Sequence, residues 1–174
     1  MQLNKHKFIK NKQANASTLA LIILSGILVL GLGLRLAAWR WHEQVPLGGD
    51  EQEYFNQALT FLRDHRYVEL NFMRPPAYTV FLSAAMYLFD SLVQRLRLIQ
   101  AIISTLTILP IYAFTQELFG KRNIALLAAL LMALNYTLAS TATELLTETL
   151  FMFGLSMLLW LLAASGRTPP TRRR

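Results

Sequence analysis

The chain has 174 residues, 54% of them hydrophobic and only 16% charged, with no cysteine and a mean hydropathy of +0.36. A soluble domain carries charge on roughly 25% of its residues, so this composition points away from one; the missing cysteines exclude disulfides and thiolate metal sites. The net charge of +7 suggests a nucleic-acid binder only until its placement is examined, because the basic residues gather at the ends of apolar runs.

In chain order, Lys5, Lys7, Lys10 and Lys12 form a basic head. The apolar run that follows, 18–39, is too long for a cleaved signal and reads as a retained anchor. Arg35, near its far end, is expected to snorkel to the surface. Gly26, Gly31 and Gly33 suggest close helix packing. Next comes Gly48-Gly49-Asp50-Glu51-Gln52-Glu53-Tyr54. Asp50-x-x-Glu53 after a glycine turn reads as a capping box, while a carboxylate pair beside a membrane anchor is also a candidate for chemistry; the two roles are compatible. Tyr54, Phe55, Ala58, Leu59 and Leu62 continue as a helical stripe over about 50–64.

Met73-Arg74-Pro75-Pro76-x-Tyr78 opens a shorter apolar helix over about 76–89. Proline is tolerated at a helix start, and Arg74 would stand at headgroup level, suited to a lipid phosphate. Three more runs are long enough to cross a bilayer, which takes about 20 apolar residues: 96–118, with Pro110 as a tolerated kink, 123–140 and 145–164. Glu144 and Glu148 fall one helical turn apart at the mouth of the last run. An acid there is functional by default, or else a favourable charge at a helix N-terminus. His6, His42 and His65 show no metal-ligand spacing.

The expected fold class is therefore an all-α integral membrane protein of about four spans, with interfacial helices between the first and second. With four spans the basic head (1–17), Lys121-Arg122 and the tail 165–174 share one side, which is the cytoplasm by the positive-inside rule. The segment 40–95, with seven of the ten acidic residues, and the 141–147 turn then share the extracytoplasmic side.

The order of four motifs resembles the N-terminal part of GT-C glycosyltransferases. The similarity is closest to glycosyltransferase family 39, the dolichyl-phosphate-mannose protein mannosyltransferases, with bacterial relatives that include aminoarabinose transferases. The motifs are Asp50-Glu51-x-x-Tyr54, Arg74-Pro75-Pro76-x-Tyr78, Leu118-Phe119-Gly120-Lys121-Arg122 and Glu144-Leu145-Leu146-Thr147-Glu148-Thr149-Leu150. The resemblance implies inverting transfer of a sugar from a polyprenyl-phosphate-linked donor to a glycan, lipid or protein acceptor, on the extracytoplasmic face of a bacterial inner membrane. It implies Asp50 as general base, with Glu51 and Glu148 in the same catalytic site and Glu144 in support. It suits Arg74, Tyr54 and Tyr78 to the donor phosphate and lipid. Some relatives carry an acidic metal ligand where this chain has Met73, so no cofactor is assigned and a divalent metal stays open. Family members continue through many more spans. The expectation is an N-terminal portion or truncated product, too short for independent activity and in need of a missing C-terminal portion or a partner subunit. The rival readings are a non-catalytic assembly partner or inactive fragment on the same scaffold and, more weakly, a transporter fragment. No nucleic-acid partner is expected.

Overall fold

The computed structural model describes residues 2–67 and 76–166, with side chains from residue 17 onward. The described residues are helical throughout, joined by short turns, and eight helices follow one another: α1 Gln2–Trp41, α2 Gly49–Asp64, α3 Pro76–Phe89, α4 Val93–Leu106, α5 Ile108–Phe119, α6 Arg122–Leu134, α7 Tyr136–Thr141 and α8 Glu148–Ser165. The all-α membrane class expected from composition is what the chain adopts. Three stretches are long and apolar enough to cross a bilayer: Ser17–Trp41, Val93–Phe119 and Glu148–Ser165. Helices α3 and α6 are apolar but shorter.

The second stretch is α4 and α5 end to end, with a one-residue irregularity at Thr107. Its cause is Pro110, which has no N–H to offer the carbonyl of Leu106 and whose ring crowds that carbonyl. The Thr107 hydroxyl bonds back to the Ile103 carbonyl at 3.0 Å, so the helix bends without opening.

The run 123–140, read from sequence as one span, is two helices. Asn135 sits between α6 and α7 with extended backbone, φ −66° and ψ 107°, and its side chain accepts the Leu138 N–H to cap α7. A polar residue able to bond its own backbone stops a helix that apolar composition alone would continue.

Helix α1 packs on α4 and α6, α5 lies between α6 and α8, and α2 packs on α3. The α1–α6 contact uses Ala125, Ala129 and Ala133, all fully buried. Small residues on one face let backbones approach where lipid gives helices no hydrophobic reason to associate. Of the three α1 glycines, only Gly31 serves this approach. A Cβ there would stand 2.7 Å from Ile108 Cδ1 and 3.3 Å from Ala133 Cβ, whereas Gly26 and Gly33 face open space. Gly31→Ala is therefore expected to destabilise by about 1–3 kcal/mol through overpacking. Gly26→Ala and Gly33→Ala should be neutral or stabilise by up to about 1 kcal/mol through helix propensity. Unfolding of the three variants in detergent micelles checks this; equal behaviour would refute the close approach.

Arg35 corrects a sequence expectation. It does not snorkel: it is fully buried between α1, α4 and α6. Its Nε donates to Ser104 Oγ at 2.8 Å, its Nη1 to the carbonyls of Gly31 and Ala133 at 3.0 and 3.2 Å, and its Nη2 to the Met132 carbonyl at 3.5 Å. The carbonyls of Met132 and Ala133 belong to the last turn of α6, where a helix has no intrahelical donors left and its dipole favours a cation.

Candidate functional site

The acidic residues singled out in the sequence converge at one end of the bundle, where α1 ends, α2 and α3 begin and the turn before α8 returns. Trp39 Nε1 donates to the Gln94 carbonyl at 3.0 Å, fixing the end of α1 to the start of α4. Helix α2 then starts at Gly49, whose φ of +50° favours glycine.

The capping-box expectation for Asp50 is corrected here. The N-cap is Gly48, with no side-chain cap hydrogen bond, and Asp50 lies inside the first helical turn. Its carboxylate is exposed and benefits from the positive end of the helix dipole.

Glu51, one residue later, points the other way and is buried. Its two oxygens accept from Arg97 Nη2 at 3.1 and 3.3 Å, and Oε1 also accepts the Leu145 backbone N–H at 2.7 Å. Arg97 is fully buried on α4, and its Nη1 donates to the carbonyls of His42 and Val45 at 3.0 and 2.9 Å. One guanidinium thus ties together the α1–α2 turn, the first turn of α2 and, through Glu51, the turn before α8. Charge-assisted bonds of this kind are the stronger ones. They span 46 to 94 residues of sequence, so they draw the two acidic segments together.

Glu144 and Glu148 do not share a helical face as their spacing suggested, because α8 begins only at Glu148. The Leu145 N–H is taken by Glu51 and the Leu146 N–H by the Glu144 carbonyl, so the chain turns instead of continuing a helix from 145. Glu148 is exposed in the first turn of α8 and accepts from the Thr147 hydroxyl at 3.4 Å. Glu144 is half-buried, and its carbonyl receives Gln100 Nε2.

Behind the carboxylates, Tyr54 and Tyr78 meet edge to face with ring centroids 4.9 Å apart. They form an apolar floor with Ala58, Leu82, Leu96 and Leu145. The Tyr78 hydroxyl donates to Gln100 Oε1 at 3.0 Å. Burial pushes the Tyr78 phenol well above its ordinary range, and the negative charges of Glu51, Tyr54 and Glu148 push it further, against the smaller opposing effect of Gln100. The folded-state value is raised, so the neutral phenol stabilises the fold below the ordinary value of about 10, and that contribution is lost as pH rises beyond it. Phenolate absorbance in an alkaline titration should accordingly show Tyr78 ionising only on unfolding. Tyr78→Phe should leave the amplitude below about pH 11 unchanged; a loss of one phenolate there would contradict the burial.

Arg74 and Met73 lie outside the described residues. Among the described residues no group of three His, Asp or Glu side chains converges as a metal site would require. Sequence reasoning missed Arg97 and Gln100. The signal was present in Arg97, a cation at the edge of an apolar run, which is costly in a membrane unless it has a partner.

Residues 73–168, more than half of the chain, match the protein family described as dolichyl-phosphate-mannose-protein mannosyltransferase. No curated protein and no solved structure matches the chain.

Proposed function

The chain belongs to the dolichyl-phosphate-mannose-protein mannosyltransferase family, and from that premise we propose that its carboxylate end serves sugar transfer from a polyprenyl-phosphate-linked donor. Membership of a membrane glycosyltransferase family supports the class of reaction. The observation that carries the site is the Arg97–Glu51–Leu145 linkage, which holds the first turn of α2 against the turn before α8 and leaves Asp50 and Glu148 exposed on either side.

In this reading Asp50 is the general base. It removes the proton from an acceptor hydroxyl as the oxygen attacks the anomeric carbon, and the bond from that carbon to the donor phosphate breaks with inversion. A base must lie within hydrogen-bond reach of the proton it takes, which an exposed carboxylate at a helix start permits. The departing phosphate gains negative charge that a fixed guanidinium would stabilise, and Arg74, six residues after the end of the described 2–67 segment plus one, is the residue proposed for it. Glu51 is a positioning residue, its charge committed to Arg97. Glu148 completes the acidic rim, and Tyr54 and Tyr78 form the floor beneath it.

This end of the bundle is assigned to the extracytoplasmic face. The opposite end carries the basic head and Lys121-Arg122, in keeping with the positive-inside rule.

The test is sugar transfer by the 174-residue chain in proteoliposomes loaded with a polyprenyl-phosphate sugar, comparing wild type with Asp50→Asn. Loss of transfer in the variant is the expected result. Equal turnover in both would remove Asp50 from catalysis. Absence of turnover in both would favour an assembly partner on the same scaffold, a reading that the largely exposed surface of α8 also accommodates.

A further inference from the structure

The opposite end of the bundle holds a second polar cavity. It has a volume of about 770 Å³ and is walled by Gln116, Gly120, Lys121, Arg122, Asn123 and Ile124, at the turn between α5 and α6. Gly120, with φ +64°, closes α5 by donating its N–H to the Gln116 carbonyl at 2.9 Å. The left-handed turn that results sets Lys121 and Arg122 side by side at the start of α6.

Three observations at this cavity ask for a ligand. Lys121 and Arg122 are both exposed, and among the described residues neither takes part in an ion pair. Lys121 occupies the N-cap position of α6 without a side-chain cap hydrogen bond, so the cations stand beside backbone N–H groups that also favour an anion. On the wall, Gln116 Oε1 is buried with no hydrogen-bond partner among the described residues. An acceptor left unsatisfied in this way requires a donor, which a bare phosphate dianion cannot supply.

The surroundings are equally specific. Leu118, Phe119, Ile124 and Leu127 are exposed around the turn, and the span ending at Phe119 places them at a membrane boundary. The cavity therefore offers two cations for a phosphodiester, one acceptor for a hydroxyl close to that phosphodiester, and apolar side chains for acyl chains.

We propose that the α5–α6 turn is a binding site for an anionic phospholipid whose headgroup carries a hydroxyl, the chemistry of a phosphatidylglycerol. Soluble glycerol phosphates share the polar part of this chemistry but not the acyl chains, and the exposed apolar collar favours the lipid. The site lies at the far end of the α4–α5 span from Asp50 and does not depend on the transfer reaction.

The test is retention of phosphatidylglycerol against phosphatidylcholine by the purified full chain, measured by native mass spectrometry and by binding titration at near-physiological salt. A Lys contributes about 1 kcal/mol of attraction near an anionic surface, as does an Arg, so Lys121→Gln with Arg122→Gln is expected to weaken phosphatidylglycerol binding about thirtyfold. Exchanging the two cations, Lys121→Arg with Arg122→Lys, should restore it. Gln116→Leu should abolish the preference for phosphatidylglycerol over phosphatidic acid, which lacks the headgroup hydroxyl. Both basic tails stay in every variant, so their general attraction to anionic lipid cancels. Unchanged phosphatidylglycerol binding in the doubly neutralised variant would overturn the site. Equal retention of phosphatidylcholine would do the same, and displacement by glycerol 3-phosphate at equal affinity would overturn the lipid assignment.

Discussion

Arg97→Ala is expected to destabilise the protein by about 3–5 kcal/mol, the cost typical of removing one partner from a buried ion pair. The substitution leaves the Glu51 carboxylate buried and facing only the Leu145 N–H, and it strips the carbonyls of His42 and Val45 of their donor. Part of the loss is the emptied volume of a fully buried side chain. Arg97→Lys should recover only a fraction, since a single ammonium cannot reproduce the spread of bonds that a guanidinium makes to three segments. Replacing both partners by apolar residues, Arg97→Met with Glu51→Leu, should be less damaging than Arg97→Ala alone, because no uncompensated charge remains. Reversible unfolding of the purified chain in mixed micelles measures all of these. A value for Arg97→Ala within about 1 kcal/mol of wild type, the range of an exposed pair, would show that the guanidinium does not hold the site together.

Asp50→Asn carries the largest expected effect on activity: a fall in turnover of about 10²–10⁴-fold, the range for losing a positioned general base, or roughly 3–5 kcal/mol in the barrier. The amide has the shape of the carboxylate but cannot accept the proton. Since Asp50 is exposed, the unfolding transition should stay within about 0.5 kcal/mol of wild type, and donor affinity should hold. Glu51→Gln separates the two acids. It should lower activity and stability together, because its partner Arg97 is buried. A stability loss in Asp50→Asn as large as that in Glu51→Gln would reverse the assignment of base and positioning residue.

The apolar runs that cross the bilayer were legible in sequence, since length and composition suffice to mark them. So was the apolar stripe of α2, whose Tyr54 and Ala58 now lie buried against α3. What remained hidden was pairing over long distance. Arg35 looked like a surface-seeking cation because its acceptors at Ser104 and Ala133 are 69 and 98 residues away. Glu51 and Asp50 are neighbours with opposite fates, and local pattern cannot separate them: Arg97 and the Leu145 N–H decide which is turned inward. The break at Asn135 was obscured by a different cause. Apolar composition on both sides satisfied the criterion for a span, while one side-chain bond to the Leu138 N–H ended the helix.

The Arg35 contacts bear on how the chain enters the bilayer. Taken alone, α1 carries a buried-to-be cation that raises its insertion cost by about 2.5–3.5 kcal/mol at mid-helix. Taken alone, α6 is too short to span and ends in carbonyls that hydrocarbon cannot satisfy. Each segment carries the defect that the other repairs. The two are separated by α2 to α5 in the order of synthesis, so α1 must wait beside the translocation machinery, or in a hydrated niche, until α6 emerges. Biogenesis of this bundle is then a coupled event in which the first and sixth helices leave water together.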